Sequence, residues 1–419
     1  MTPTATLELQ EGLLVSPNQK YWDLGLKCFK DGDLATTAIQ KIWAAMPPPA
    51  SLNLLAAIVG ALYGDTYWAT TKMDRNHLAL DIQASLGINP SDCQKAANYA
   101  FSRWYGLLVR GNFGDNGGIP KTGSITASPD VVINGKAPLT VDQLIRMWNQ
   151  YNWDPTPGLK NNTYGRAQSV NIEVPIETPI LRVFYSDAGF NPPPTSWIQA
   201  FTFDNTATSP MQGIAPGPVL VGGKIANTDS FAFTPAGSGH YCLIAVVGSE
   251  FFTNNPLDTP GNWNSSEWIV NNGAAGWHNV DVPKAKESAL KFYNQDNVEE
   301  GFVFEAHCSK VPEGTRVSLG FADKLLAQAH PTQSITINKP YQVVTTEAQV
   351  PPNFAGDLVV GIDGKALPAD ASVDVRLNWR LPPGHPRFLD AVERLHETTA
   401  LNLRTPINLP LGSFTFVGK

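Results

Sequence analysis

The chain changes character at residues 155–169, which read PTPGLKNNTYGRAQS. Before this stretch, apolar residues recur every three or four positions, which is the period of an amphipathic helix. After it, short alternating segments are separated by clusters of Pro, Gly and Asn, which is typical of antiparallel strands. Pro155 and Pro157 mark the boundary, because proline does not continue a helix. The sequence therefore predicts an α+β multidomain protein, with a helical N-terminal region followed by two antiparallel β-sandwiches.

Residues 1–110 are predicted to form a helical domain. Four segments with helical periodicity each follow a short polar residue that can cap a helix: Asp33, Ser51, Asp74 and Asn89. The last of these helices is predicted to bury four apolar residues on one face: Ala97, Phe101, Trp104 and Leu108. We expect the four helices to pack as a small bundle.

Residues 111–158 are predicted to be a linker region that contains one helix. Their first part is rich in glycine, which favours turns. Thr140 and Gln143 have the spacing of a capping box, which predicts a helix over 141–151.

Residues 159–283 are predicted to form the first β-sandwich, because short strands recur at close intervals with no helical pattern between them. Its candidate strands are 164–169, 180–186, 197–203, 219–225, 230–234, 239–248 and 276–282.

Residues 284–382 are predicted to form a second, smaller β-sandwich, which begins with a charged connector over 284–300. Its candidate strands are 302–309, 315–321, 333–338, 342–346, 358–361 and 372–380. Residues 383–419 are predicted to be an extension with a helix over 387–396 and a strand over 414–417. That last strand is expected to pair within a sheet or with a neighbouring chain.

Composition limits the classes of partner. The 419 residues carry a formal net charge of −7, only 16 % are charged, and no run of five Lys or Arg occurs. Nucleic acid is therefore not an expected partner, because phosphate binding needs clustered positive charge. Hydrophobic residues make up 42 % of the chain, which excludes a disordered protein.

The sequence leaves the localisation unknown. The first residues lack the basic and apolar regions of a secretory signal, so we expect a cytoplasmic protein or one exported by a non-classical route. No stretch of 18 apolar residues occurs. The four cysteines are expected to be free thiols.

Three segments of the first β block carry a resemblance to a known family. They are 161–167 (NNTYGRA), 239–245 (GHYCLIA) and 271–280 (NNGAAGWHNV). Over 161–283 the chain resembles bacterial immunoglobulin-like domains of the cell-adhesion-related (CARDB-like) kind. The resemblance implies an immunoglobulin-like sandwich, which we also expect for the second β block, and a role as an adhesion, spacer or assembly module.

No catalytic, cofactor or metal site is predicted. The chain has no G-x-S-x-G, H-E-x-x-H or P-loop motif. His240, Cys242, His307 and Cys308 could in principle bind zinc, but their spacing matches no zinc module. Residues 307 and 308 also point to opposite faces of a strand. The cysteines are expected to pack as small apolar side chains.

The segment 254–268, NNPLDTPGNWNSSEW, is the candidate ligand-binding loop. Sugar rings stack on aromatic side chains while their hydroxyl groups pair with amides. The predicted binding residues are therefore Asn262, Trp263, Asn264 and Trp268. The alternative is that one tryptophan covers the end of the sandwich and that the polar residues form turns.

Three functions remain open from the sequence. The first is a non-enzymatic binding or structural protein that contacts a protein partner or assembles with itself. The second is a pore-forming or insecticidal-type toxin, with 52–63 as the membrane-inserting helix and the sandwiches binding a glycan or membrane receptor. The third is a carbohydrate-binding protein that uses the 254–268 loop.

Overall fold

The computed structural model describes residues 17–64, 75–122, 125–150, 152, 155–170, 176, 178–187, 189–190, 192–213, 223–235, 239–249, 254–258, 265–282, 287–294, 296–368, 371–389, 392 and 404–417. Within these residues, a helical region that extends to residue 100 is followed by several antiparallel β-sheets. This is the predicted α+β organisation, but the first strand begins at residue 107, well before the predicted change at residues 155–169.

In the described residues up to 100, the helical region is a bundle of five helices: α1 (Gln19–Lys30), α2 (Ala35–Ala45), α3 (Leu52–Tyr63), α4 (Arg75–Leu86) and α5 (Pro90–Ala100). The apolar helix α3 lies at its centre and contacts the other four. Its buried residues include Leu55, Ile58 and Val59. In the part of the chain that the structure describes, no helix is both long and apolar enough to cross a membrane.

The capping signals decide most of these helix boundaries. The Ser51 hydroxyl accepts a hydrogen bond from the backbone N–H of Leu54 at 3.2 Å, and the Asn89 side chain accepts one from the N–H of Ser91 at 2.8 Å. Both caps are confirmed. Asp33 does not cap α2, because its carboxylate pairs with the Lys41 ammonium at 2.6 Å. Asp74 lies outside the described residues.

The structure differs from the prediction at both ends of the helical bundle. The sequence pattern missed α1, which begins without a side-chain cap and contains Gly25. Helix α5 ends at Ala100 rather than continuing to residue 108. Phe101 and Trp104 therefore lie in the segment that leaves the bundle and not on a helix face.

The predicted linker region supplies part of the first β unit. Strands β1 (Leu107–Leu108) and β2 (Val131–Ile133) pair antiparallel with β3 (Asn161–Ser169). Helix α6 (Val141–Arg146) begins with the predicted capping box and is shorter than predicted. The boundaries at 110/111 and 158/159 therefore do not separate structural units, because strands on both sides of them share one sheet.

The remaining elements of the first unit are β4 (Ile180–Asp187), β5 (Gly189–Phe190), β6 (Ile198–Gln199), β7 (Phe201–Thr202), β8 (Ser209–Pro210), β9 (Ile225–Asn227), β10 (Phe231–Phe233), β11 (Gly239–Gly248), α7 (Ser265–Asn271) and β12 (Ala275–Val282). One sheet has the order β1-β3-β10-β7, with β2 and β9 also on β3. The other has the order β12-β11-β4-β6, with β8 on β4. Buried residues of both sheets, such as Phe231 and Leu243, share one core.

The second β unit contains β13 (Glu287–Tyr293), β14 (Glu300–Ser309), β15 (Arg316–Phe321), α8 (Lys324–Ala329), β16 (Gln333–Thr336), β17 (Tyr341–Val350), β18 (Ala355–Asp363), β19 (Ser372–Leu381) and β20 (Ile407–Val417). Its two sheets have the orders β16-β15-β18-β13-β5 and β17-β14-β19-β20. Strand β13 lies in the predicted charged connector, which is therefore not a linker.

The C-terminal segment belongs to the second unit. Strand β20 pairs antiparallel with β19 along its whole length, and Leu411 and Phe414 enter the core. The predicted extension over 383–419 thus supplies the strand at the edge of this sheet next to β19, and the strand begins earlier than residue 414. Most of the predicted helix over 387–396 lies outside the described residues.

The two β units are interlocked. Strand β5, which follows β4 of the first unit, pairs parallel with β13 of the second. Phe190 of β5 is buried against Phe304, with ring centroids 6.2 Å apart. The Thr126 hydroxyl and the Asn279 amide donate to the Ser413 carbonyl at 2.9 and 2.7 Å. The predicted boundary at 283/284 is therefore crossed by both a strand pairing and side-chain hydrogen bonds.

Candidate functional site

In the part of the predicted ligand-binding loop that the structure describes, no aromatic ring is exposed for stacking. Asn262, Trp263 and Asn264 lie outside the described residues. Trp268 is on α7 and has no exposed surface. Its ring packs against Trp197 with centroids 5.9 Å apart. A ring closed off from solvent cannot stack on a ligand, so the interpretation of Trp268 is corrected to that of a core residue.

The candidate zinc residues do not form a site among the described residues, where no group of three or more His, Cys, Asp or Glu side chains could hold a metal. All four cysteines are buried, and none of them forms a disulfide. His307 lies on the outer face of β14, where its ring nitrogens contact the Tyr341 hydroxyl at 2.6 Å and the Glu305 carboxylate at 3.2 Å. Nothing is described of the His240 side chain.

A cleft lies where the helical bundle meets the first β unit. It has two chambers, which share four lining residues and are therefore adjacent: Trp22, Arg103, Trp104 and Tyr105. Ligand sites commonly occur at such junctions. We call this feature the junction cleft.

The inner chamber is small and apolar. Its volume is about 60 Å³. Its apolar side chains include Phe101 from the bundle exit and Ile176 and Val247 from the first β unit. A cavity of about 150 Å³ binds a benzene ring. The inner chamber is well below this size, so it has room for a small substituent but not for a ring.

The outer chamber is larger and polar. Its volume is about 650 Å³, which is within the usual range for small-molecule sites of about 300 to 1,000 Å³. It combines aromatic rings with three amides and three hydroxyl groups outside the shared residues: Asn18, Asn53, Asn116, Ser51, Tyr99 and Ser102. These groups can both donate and accept hydrogen bonds.

Backbone hydrogen bonds fix the wall of the cleft. The Trp104 N–H donates to the Gly117 carbonyl at 2.7 Å, and the Ile119 N–H donates to the Ser102 carbonyl at 2.9 Å. On the other side of the segment, the Val170 N–H donates to the Gly106 carbonyl at 3.0 Å. This segment, 101–106, is thus held on both sides and can support a preformed site.

Two tryptophans set the shape of the junction cleft. The Trp104 indole N–H donates to the Leu107 carbonyl at 3.0 Å, and its ring covers Gly273, where an added Cβ would lie 2.1 Å from the ring. Trp22 of α1 is almost fully buried and packs against Tyr105 with ring centroids 5.7 Å apart. These contacts tie the bundle to the β unit across the cleft floor.

The junction cleft carries positive charge, whereas the chain as a whole is negatively charged. Arg103 is exposed in both chambers, and its guanidinium has no ion-pair partner among the described residues. The described residues that line the cleft include no Asp or Glu. Burial raises the pKa of Tyr105 to about 12, so its hydroxyl is neutral at physiological pH. The cleft therefore favours an anion, although the whole chain carries −7.

Arg110, Asp130 and Arg166 form a buried ionic cluster in the first β unit. The Arg110 guanidinium donates to both oxygens of Asp130, at 3.0 and 2.7 Å, and lies 3.6 Å from the centroid of the Trp148 ring. Arg166 donates to the carbonyl of Leu144 within α6 and to that of Met147 directly after the helix. The cluster thus fixes α6 on the first sheet.

The electrostatics of this cluster indicate a structural role. Burial raises the pKa of Asp130 against the opposing effect of the hydrogen bonds from Arg110, and burial lowers the pKa of Arg166 to about 10. Burial also lowers the pKa of Lys121, whose ammonium donates to the carbonyls of Val109 and Ala275 at 2.7 and 2.5 Å. These shifted groups are closed to solvent, so no ligand reaches them.

Sequence reasoning missed the junction cleft. The one local signal is the dense run YAFSRWYG over 99–106, in which four aromatic residues surround a single arginine. Its periodicity suggested a helix face. The inference failed because α5 ends at Ala100 and the segment turns onto the β unit.

Comparisons with known proteins leave the family open. No family model matches the chain, and no curated protein matches it. Among solved structures, the chain is similar to one described as the complete structure of manganese lipoxygenase of Gaeumannomyces graminis and partial structure of zonadhesin of Komagataella pastoris. The identity is 8 %, the match covers 69 % of this chain and 94 % of that chain, and the TM-score is 0.16. At this TM-score the likeness carries no argument.

Proposed function

We propose that the protein is a non-enzymatic binding protein whose ligand occupies the junction cleft. The observation that carries this proposal is the cleft itself, with its preformed wall, its aromatic floor and its convergent polar groups. A non-enzymatic role is supported by the sequence, which has no catalytic motif.

We further propose that the interlocked β units are immunoglobulin-like sandwiches that act as a rigid scaffold for this cleft. The support for the sandwich type is the resemblance over 161–283. The support for rigidity is the pairing of β5 with β13 and the hydrogen bonds to Ser413. A scaffold of this kind suits an adhesion or assembly module, in which a partner's ligand group is held by a fixed site.

The test blocks the cleft without changing the scaffold. Asn53 is exposed near the start of α3 and lines the outer chamber, so Asn53→Trp is expected to fill it. Asn76→Trp places the same side chain at an exposed position of α4 outside the cleft and is the matched control. The probe is the dye 1-anilinonaphthalene-8-sulfonate, which has an aromatic body and one anionic group.

The wild type and Asn76→Trp are expected to bind the dye at one saturable site, and Asn53→Trp is expected to lose that site. Tryptophan fluorescence quenching gives the stoichiometry, because Trp22 and Trp104 line the cleft. Equal dye binding by all three proteins would overturn the proposal, since the cleft would then not be the binding site.

A further inference from the structure

We propose that the junction cleft recognises an acidic oligosaccharide, with a sugar ring against the Tyr99 and Trp104 rings and a carboxylate at Arg103. This inference rests on the proposed function, because it names the class of ligand for the same site. It replaces the 254–268 loop as the carbohydrate site.

The first argument is the mixture of groups in the outer chamber. A sugar presents apolar C–H faces and a ring of hydroxyl groups, so it needs flat aromatic surface beside neutral donors and acceptors. Tyr99 is 43 % exposed and Trp104 is partly exposed in this chamber, and Asn53 and Asn116 have exposed side chains there. The Asn116 side-chain oxygen accepts a hydrogen bond from the Gly118 N–H at 3.3 Å, but a purely apolar ligand would cover the amide NH₂ groups of Asn53 and Asn116 and give them no acceptor, which is unfavourable.

The second argument is charge. Arg103 is the one cationic side chain among the described lining residues of either chamber, and none of them is acidic. An arginine binds a carboxylate with two parallel hydrogen bonds, which gives both strength and orientation. The outer chamber also receives the N-terminal end of α3 at Ser51 and Asn53, and the positive end of a helix dipole adds to the preference for an anion.

The third argument is size. The outer chamber of about 650 Å³ has the size of a small-molecule site and can take a short oligosaccharide, whereas the inner chamber of about 60 Å³ admits a small substituent. The methyl end of an acetamido substituent is small enough to enter the inner chamber. We therefore expect an acidic sugar that carries an acetamido group to fit both chambers together.

The experiment compares acidic ligands with neutral counterparts. The probes are 3′-sialyllactose, which has a carboxylate and an acetamido group, and lactose, which has neither. A second pair is trigalacturonate and its neutral methyl ester. Titration calorimetry is carried out on the full chain, on Arg103→Gln and Tyr99→Ala, and on the exposed controls Arg146→Gln and Tyr341→Ala.

We expect each acidic ligand to bind the wild type about 10-fold or more tightly than its neutral counterpart, because hydrogen bonds to a charged group are worth that much. Arg103→Gln is expected to abolish this preference, and Tyr99→Ala to weaken acidic and neutral ligands together. Binding of the acidic ligands is expected to weaken with added salt, while that of the neutral ligands does not change. The two controls are expected to bind as the wild type does.

The outcomes separate this inference from the proposed function. If the dye binds in the junction cleft and Asn53→Trp removes it, but no sugar binds, the inference is overturned and the binding cleft stands. If sugars bind with the same preference in Arg103→Gln, the role of Arg103 is overturned. If dye and sugars bind Asn53→Trp as they bind the wild type, both proposals are overturned.

Discussion

Asp130 is a single buried charge on which the stability of the first β unit depends. Its carboxylate has no exposed surface and accepts hydrogen bonds from the backbone and side chain of Arg110. Asp130→Ala would leave Arg110 and Arg166 buried without their counter-charge. Loss of one partner of a buried pair costs about 3–5 kcal/mol, so we expect a loss of this size in the unfolding free energy of the first β unit.

Denaturant unfolding monitored by tryptophan fluorescence measures this loss. The control is Asp142→Ala, which removes the exposed pair between Asp142 and Arg146 on α6, where the two side chains are 57 % and 78 % exposed. Exposed pairs contribute about 0–1 kcal/mol, so this variant should be close to the wild type. A similar effect of the two substitutions would contradict the structural role of the cluster.

The cysteines give a second prediction at the residue scale. None of their side chains is more than 2 % exposed. Burial raises the pKa of Cys28 and of Cys93, and it raises the pKa of Cys308 to about 11. Only the thiolate reacts with alkylating agents, so the native thiols should be inert at pH 8.

Mass spectrometry after treatment with iodoacetamide tests the thiols. We expect no adduct on the native chain and four adducts after unfolding in guanidinium chloride. Fewer adducts on the unfolded, unreduced chain would mean that cysteines are joined in disulfides. Adducts on the native chain would mean that the hydrophobic cores around the cysteines open to solvent.

At the scale of an element, helix α1 depends on its contact with α3. A Cβ on Gly25 would lie 2.5 Å from the Ile58 side chain and 3.2 Å from that of Leu62. Because a packed core resists added volume, Gly25→Ala is expected to destabilise the bundle by about 1–3 kcal/mol.

The control for Gly25→Ala is Gly60→Ala on α3. The closest contact of a Cβ at Gly60 is 3.3 Å, and alanine favours a helix by about 0.5–1 kcal/mol over glycine. Its effect should therefore be small. Hydrogen exchange of α1 and α3 provides the measurement, and equal protection in both variants would show that the close approach is not needed.

At the scale of the whole molecule, Phe190 connects the two β units. It follows β4 in the chain but is buried in the core of the second unit against Phe304. We expect Phe190→Ala to destabilise the second unit by about 3–5 kcal/mol, because it leaves a cavity there.

Hydrogen exchange locates this effect. Faster exchange is expected in β13 and β14 rather than in β4. Phe201→Ala is the control, since Phe201 is 46 % exposed on the adjacent segment and should have little effect. Faster exchange confined to β4 would show that Phe190 belongs energetically to the first unit.

Elements with local signals were predicted well. The predicted strand over 239–248 agrees with β11 at both ends, and the caps at Ser51, Asn89 and Thr140 were confirmed. A side chain that caps a helix contacts only its own first turn, and alternation depends only on neighbours in one strand. Such features are visible in a few consecutive residues.

The features that the sequence did not predict depend on contacts with residues far away in the chain. Strand β13 has a charged beginning and looks like a connector, yet its Leu290 and Phe292 are buried because β18 and β5 pair on either side. Helix α1 has no cap and owes its place to the contact of Gly25 with α3. Trp268 looks like a surface aromatic among polar residues, but Trp197 covers it.

By itself, the sequence determined the α+β class, the order of a helical region before the β-sheets and the periods of most elements, because these follow from local spacing and capping. Only the tertiary structure decided the interlocking of the β units, the burial of the Asp130 cluster and the junction cleft. Each of these brings together residues far apart in the chain. The cleft joins Trp22, Arg103 and Val247, and no sequence period reports a contact across such distances.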